Sequence, residues 1–269
     1  MSDFSNSRLY TGLLAVSLLG LALLMSCRHT PTQNEISYAQ IRYDLALGEA
    51  EEGNTRAAIR ELQSAIELYP DFAEAHNAMG LILHLSMGRH SRAEEAYLKA
   101  LRIEPEFSEA HNNIGALYID MGRYDEAEKH LRAALEDVLY VTPHLAKGNL
   151  GWVLYLQGRV EEGLTHLRSA VVVQPKFCMG HRNLGRIYRE QGRFDDARSS
   201  FERFVEHCPD VAEAQHEWGV ISQEEGNYEV AREAFQACIE LSAGGSRGEE
   251  CKRHLEALEE TAGLSRDEA

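Results

Sequence analysis

The chain has 269 residues, of which 44% are apolar and 26% are charged, and only 6 are prolines. This composition is typical of a folded helical protein and argues against a disordered chain. The formal net charge of −16 argues against nucleic acid as a partner, because DNA and RNA phosphates must be neutralised by Lys and Arg.

The amino-terminal segment differs from the rest of the chain. A short polar start that contains Arg8 precedes an apolar run from Leu13 to Met25. The run is shorter than the roughly 20 apolar residues of a membrane-spanning helix, and it has the length of a signal-peptide core, about 7 to 15 residues. We therefore predict a signal peptide over residues 1–26.

The end of this run, Leu-Met-Ser-Cys at 24–27, resembles the lipobox of bacterial lipoproteins. The resemblance implies that Cys27 becomes the lipidated first residue and that residues 27–37 form a short linker. Arg28 stands where many bacteria use Asp for retention at the inner membrane, so the resemblance implies the periplasmic face of the outer membrane. The alternative is a signal peptide that is cleaved nearby without lipid attachment.

From residue 38 onward one pattern recurs about every 34 residues. Each copy has a small landmark residue and a turn glycine, and five copies end in a proline. The landmarks are Ala46, Gly80, Gly115, Gly151, Gly185 and Gly219; the turn glycines are Gly53, Gly88, Gly122, Gly158, Gly192 and Gly226; the prolines are Pro70, Pro105, Pro143, Pro175 and Pro209. A repeat of this length predicts helix pairs stacked into a solenoid.

The third copy illustrates the pattern. Gly115 lets a second helix approach the first, and Gly122 ends the first helix. Asp125 and Glu126 favour the start of the second helix, whose buried stripe is Ala127, Leu131 and Ala134. The pattern resembles the tetratricopeptide repeat, which implies an all-α fold, a right-handed α-solenoid of six helix pairs.

The predicted units are 38–71, 72–106, 107–143, 144–176, 177–210 and 211–243, followed by a capping helix over 246–262. Three departures are visible. The second unit has an extra residue near Gly88, the third has a longer exit over 136–142, and the sixth lacks its proline.

In such arrays the first helices line the concave surface, and helical spacing from each landmark selects the residues that point into it. The expected groove residues are Tyr43, Leu47, Leu81, His84, Leu85, Ala116, Ile119, Trp152, Tyr155 and Leu156. The fifth unit instead offers a basic strip of Arg182, Arg186 and Arg189. Two alternatives stay open: the apolar residues pack against adjoining helices, and the arginines form ion pairs.

Asn113, Asn149 and Asn183 occupy the same slot, two residues before the landmark glycine, in three successive units. An Asn side chain both donates and accepts hydrogen bonds. A regularly spaced row of them could hold the backbone of a peptide, although Asn is common at this slot in the family.

The cysteines beyond Cys27 lie in the last third of the chain. An oxidising compartment permits a disulfide between Cys238 and Cys251 that would staple the cap, whereas Cys178 and Cys208 are expected to be buried thiols. No pair of cysteines has close metal-ligand spacing and the histidines are scattered through the predicted helices, so no metal site is predicted.

Sequence motifs of enzymes are missing, and neither a cofactor nor a small-molecule substrate is expected. The recurrent histidines His76, His111, His181 and His216 are interpreted as one duplicated structural position on the first helices.

The combination of lipobox, linker, six repeats and cap resembles the pilotin lipoproteins of type IV pilus systems, the PilF, PilW and Tgl type. The resemblance implies a non-enzymatic protein that binds secretin subunits at the outer membrane and promotes their multimerisation, and hence pilus-dependent motility. The alternative is a tetratricopeptide lipoprotein that acts as a scaffold for envelope or cell-wall assembly complexes.

Overall fold

The computed structural model describes residues 30–242 and 244–267, and throughout these two ranges the regular structure is helical. The predicted signal peptide and Cys27 lie outside the described residues. The helices are α1 Gln33–Glu51, α2 Thr55–Leu68, α3 Ala73–Leu81, α4 His90–Ile103, α5 Ser108–Asp120, α6 Tyr124–Ala134, α7 Pro143–Leu156, α8 Val160–Val173, α9 Cys178–Glu190, α10 Phe194–His207, α11 Ala212–Glu224, α12 Tyr228–Leu241 and α13 Ser246–Asp267. None of them combines the length and the apolar character that crossing a membrane requires.

Consecutive helices pack as hairpins, beginning with α1 against α2 and ending with α11 against α12. Each hairpin also contacts the next one along the chain, and α13 covers the last pair. The predicted all-α solenoid of stacked helix pairs is therefore confirmed.

The landmark glycines mark the points where the two helices of a hairpin touch. A Cβ placed on Gly115 would lie 2.7 Å from the Leu131 side chain, and one on Gly185 would lie 2.5 Å from the Phe201 ring. In the fourth hairpin the contact is with backbone, because a Cβ on Gly151 would lie 2.7 Å from the carbonyl oxygen of Gly163. Any larger residue at these positions would push the helices apart.

The turn glycines end the first helices by backbone hydrogen bonds. Gly122 has φ of 71°, a left-handed conformation that suits glycine. Its N–H donates to the Ile119 carbonyl at 2.9 Å, and the N–H of Arg123 donates to the Tyr118 carbonyl at 2.8 Å. This pair of bonds is the Schellman motif, which satisfies carbonyls at the end of a helix.

The extra residue of the second unit is absorbed by a π-helical turn, Ile82–Ser86, that continues α3. Such one-residue insertions into a helix often lie at functional sites. The hydrogen bond that ends the helix shifts by one residue. Arg89 N–H donates to the Leu83 carbonyl, six residues back, at 2.7 Å, whereas Arg123 in the third hairpin donates five residues back. The insertion leaves His84 buried and Leu85 exposed.

Three boundaries differ from the sequence predictions. Helix α1 begins at Gln33, inside the predicted linker, because Thr32 and Glu35 form a capping box. Pro143 does not close the third unit but lies in the first turn of α7, whereas Pro105 lies two residues past the end of α4. The capping helix continues to Asp267 rather than 262.

Two disulfides lie in the last third of the chain. One joins Cys238 on α12 to Cys251 on α13, and the other joins Cys178 to Cys208. The expectation that Cys178 and Cys208 are unpaired thiols is wrong, because the start of α9 and the residue after α10 meet at the same edge of the fifth hairpin.

Substituting Gly151 with Ala tests the hairpin contact. The new methyl group would overlap the Gly163 carbonyl, so the free energy of unfolding should fall by about 1–3 kcal/mol. Gly48→Ala on α1 is the matched control, since nothing lies within 4 Å of the new Cβ. That variant should gain up to about 1 kcal/mol from helix propensity. Urea unfolding followed by circular dichroism measures both, and equal stability of the two variants would contradict a tight contact.

Candidate functional site

One groove of about 350 Å³ runs across four successive first helices, α3 with its π turn, α5, α7 and α9. Its walls are mainly apolar and its floor carries amides. The lining residues, which define the groove hereafter, are Leu81, His84, Leu85, Tyr97, Asn112, Asn113, Ala116, Ile119, Asp120, Leu145, Asn149, Trp152, Met179, Arg182 and Asn183.

Two asparagines of the groove, Asn113 and Asn149, bridge neighbouring first helices. The Asn113 amide donates to Asn77 Oδ1 at 3.1 Å, and the Asn149 amide donates to Asn112 Oδ1 at 3.0 Å. Asn183 is buried and accepts from Arg182 Nε at 3.2 Å. Asn113 and Asn149 therefore belong to an amide ladder with Asn77 and Asn112, whereas Asn183, the third residue of the predicted row, is bonded to Arg182 on its own helix.

The π turn forms one wall of the groove. His84 is buried there, and its Nε2 lies 2.8 Å from Asp120 Oδ2 on α5. Because this contact fixes the turn, the next side chain, Leu85, projects from the wall and is 68% exposed. Trp152 on α7 lies farther along the groove and contacts Tyr155, with 5.1 Å between ring centroids.

Tyr97 reaches the groove from α4, the second helix of its hairpin. Its ring fills the space above Gly80, and its hydroxyl is buried without a hydrogen-bond partner among the described residues. Burial raises the pKa of this hydroxyl well above its usual value, so it stays protonated and can donate. The sequence reasoning considered only first helices and missed this residue.

The basic strip predicted on α9 forms ion pairs with two acidic side chains of α11. Arg182 Nη1 lies 2.9 Å from Glu213, Arg186 Nε donates to Glu217 Oε1 at 2.7 Å, and Arg189 Nη1 lies 3.4 Å from Glu217. Glu217 is only 2% exposed. The alternative that the sequence left open for these arginines, ion pairing, is the one observed, and it ties the fifth hairpin to the sixth.

Charge within this network affects Glu213. Burial alone would raise the pKa of its carboxyl, but the guanidinium groups of Arg182, Arg186 and Arg247 outweigh burial and hold the pKa below its usual value. The carboxylate therefore stays ionised throughout the neutral range.

Other predicted groove residues lie beside the groove rather than in its lining. Tyr43 and Leu47 are on α1; the Tyr43 ring packs against Phe72 with 5.2 Å between centroids, and Leu47 is exposed. The Tyr155 hydroxyl donates to Glu190, and burial together with this bond raises the pKa of the hydroxyl to about 12.

The loop between α6 and α7 presents a second apolar surface. Val138, Leu139 and Val141 are each more than 80% exposed, although the loop is held by Asp137, which accepts from the Leu139 N–H at 2.8 Å. Tyr140 packs against the core. The longer exit was visible in the sequence, and its run of apolar residues was the signal that could have identified this surface.

Comparisons with known proteins agree with this fold. Two family models, both described as tetratricopeptide repeat, match the chain, one over residues 106–174 and the other over residues 43–109 and 182–246. Together the matched segments cover more than half of the chain.

A type IV pilus assembly protein, PilF of Pseudomonas aeruginosa, is 32% identical to the chain over 142 residues, which are 52% of the chain and 56% of that protein. The chain is thus homologous to PilF, and the match spans about half the length of that relative.

Two solved structures have a similar fold. The crystal structure of PilW, described as a widely conserved type IV pilus biogenesis factor, matches with a TM-score of 0.68 at 23% identity and covers 79% of this chain and 97% of that one. The structure of Pseudomonas aeruginosa PilF matches with a TM-score of 0.69 at 21% identity, and the match covers 82% of this chain and 99% of that one.

Glu213→Gln tests the ion-pair network. The substitution removes a charge that three arginines share, so at pH 7 it should cost about 1–3 kcal/mol of unfolding free energy. Because the folded pKa of Glu213 is lowered, its contribution is complete above the unfolded Glu pKa of about 4.3 and is lost as the pH falls through the folded value. The difference in unfolding free energy between wild type and variant should therefore stay constant as the pH is lowered from neutral, and it should shrink only in acid.

Glu206→Gln is the control. Both side chains of the Glu206–Arg203 ion pair are exposed, so the substitution should change the free energy of unfolding by less than about 0.5 kcal/mol. Urea unfolding at a series of pH values measures both variants. A Glu213→Gln effect no larger than that of Glu206→Gln would show that the network does not join the hairpins.

Proposed function

Because the chain belongs to the tetratricopeptide-repeat family and is homologous to a type IV pilus assembly protein, we propose that it is a non-enzymatic factor in type IV pilus biogenesis. In this proposal it binds unassembled secretin subunits through its groove and promotes their multimerisation at the outer membrane. The observation that carries the proposal is the apolar groove with an amide floor across four first helices.

The dimensions of the groove fit an extended segment of a protein partner. Packed helices lie about 8 to 10 Å apart, so four of them span about 25 to 30 Å. An extended chain advances about 3.3 Å per residue, so this length accommodates about eight residues. A segment of an unassembled barrel subunit has this form, and an unpaired strand is prone to aggregation until it is covered.

The chemistry of the groove suits a peptide whose side chains alternate. Each amide nitrogen of Asn113 and Asn149 carries two N–H groups, so one bond to the neighbouring asparagine leaves the other for a carbonyl of the segment. Leu85, Ile119 and Trp152 provide apolar contacts for side chains on one face of the segment. Backbone bonds would then contribute affinity, and the apolar contacts would contribute specificity.

A lipid anchor would concentrate the groove where secretin subunits arrive. Residues 24–27 resemble the lipobox, and acylation of Cys27 with more than one chain would give stable attachment to the bilayer. Tethering raises the effective concentration of the groove next to membrane-bound subunits, so a modest affinity would be sufficient.

Leu85→Glu tests the groove. The carboxylate would face the apolar segment, so the affinity for purified secretin subunits and the yield of heat-resistant secretin multimers in cells should each fall at least about tenfold. Val172→Glu is the matched control: Val172 lies on α8, is 78% exposed and is not in the groove lining, so its variant should behave like wild type.

Circular dichroism should show the same helicity for both variants. An undiminished yield of secretin multimers with Leu85→Glu would contradict binding through the groove. A normal yield in a strain that lacks the protein would contradict secretin assembly as its function. In the second case a role as a scaffold for other envelope complexes becomes the better proposal.

Cys27→Ser tests the lipid anchor. Wild-type protein in cells grown with labelled palmitate should carry the label and sediment with the outer membrane, because its acyl chains insert into the bilayer. The variant should lose the label and move to the soluble periplasmic fraction. Unlabelled wild-type protein, or a variant that stays labelled, would contradict acylation of Cys27.

A further inference from the structure

His216 does not belong to the histidine series in which the sequence analysis placed it. His76, His111 and His181 lie four residues before their landmark glycines, and each donates its Nε2–H to a proline carbonyl six residues earlier. In the last hairpin Gln215 makes this contact, to Pro209 at 3.1 Å. His216 lies one position later, so the interpretation as one duplicated position is wrong for this residue.

The His216 ring is buried without a hydrogen-bond partner. The residue is 7% exposed, and both of its ring nitrogens are buried and lack a hydrogen bond to any described residue. One nitrogen of a neutral imidazole carries a lone pair and can bind a metal ion. A buried polar group left unpaired is destabilising, and a ligand bound to this nitrogen would offset that cost.

Two further ligand groups face His216 from the capping helix. Glu250 and His254 are four residues apart on α13, and residues at this spacing share one face of a helix. The ligand atoms of the three side chains all lie within 4.8 Å of one another, and Glu250 Oε1 lies 3.5 Å from His216 Nε2. Zinc bonds of about 2.0–2.2 Å in a tetrahedral site place ligand atoms about 3.3–3.5 Å apart, so this pair already has the spacing of a metal site.

Neighbouring side chains orient the ligands. Arg247 donates to Glu250 Oε2, which leaves Oε1 toward His216, and the His254 ring stacks on Phe235 with 4.9 Å between centroids. The charge of Arg247 is shared with Glu213, which lies 3.8 Å away. Such supporting contacts are typical of metal sites, where they fix the ligand geometry.

We propose that His216, Glu250 and His254 bind one zinc ion between the last repeat and the capping helix. Two imidazoles and a carboxylate suit zinc, and three protein ligands leave a fourth position for water. That position opens on a cavity of about 490 Å³ that also contacts these three residues. The ion ties α13 to α11, whereas the Cys238–Cys251 disulfide ties α13 to α12.

The site is tested on the full chain, purified without a polyhistidine tag and stripped with a chelator. Calorimetric titration with zinc chloride should give one ion per chain, and cobalt chloride should produce the visible absorption of tetrahedral Co²⁺. Zinc should also raise the thermal midpoint, because it binds the folded state. Lack of stoichiometric binding would overturn the proposal.

His216→Gln and His254→Gln should each weaken zinc binding more than about tenfold, since even supporting residues of metal sites contribute 10-fold to 100-fold. His166→Gln on α8, which lies outside the cluster, is the control and should bind zinc like wild type. Unchanged binding by both ligand variants would overturn the proposal. If His216→Gln fails to fold, the decision rests on His254→Gln, whose side chain is only half-buried.

Discussion

The close contact between the two helices of each hairpin is the constraint on which the rest of the structure depends. At Gly115 and Gly185 the first helix lacks a Cβ where Leu131 and Phe201 press against it. This contact sets the spacing of each hairpin, and the spacing in turn determines how neighbouring hairpins stack. When the hairpins stack, four first helices lie side by side. Their exposed faces then form a continuous groove instead of separate clefts.

The features that the sequence predicted well are those decided within a single hairpin. The period, the turn glycines and the buried stripe each depend on residues a few positions apart, so local chemistry is sufficient to place them. Predictions failed where the chain departs from the period by a residue or more. Pro143 begins α7 because the preceding loop is long, and the extra residue near Gly88 enters α3 as a π turn, which no periodic pattern specifies.

The features that the sequence could not predict depend on how one hairpin meets the next. Arg186 and Glu217 are 31 residues apart, close to one repeat, yet their pairing requires the stacking angle that brings α9 and α11 side by side. Packing of the capping helix likewise brings His216 near Glu250 and His254, which lie 34 and 38 residues farther along the chain. A one-position shift in the last repeat changes the role of that histidine completely, and slot-by-slot comparison of repeats overlooks such shifts.

The placement of the two disulfides gives the solenoid a mechanical polarity. Both cross-links lie beyond residue 177: one closes the fifth hairpin on itself, and the other joins the sixth hairpin to the cap. No cysteine occurs between residues 28 and 177, so the earlier hairpins are held by non-covalent contacts, among them packing, hydrogen bonds and ion pairs. A linear array unravels from its less secured end. Pulling on the protein would therefore peel away α1 and α2 first and would open the groove from the side of the π turn, while its far side stayed anchored on α9.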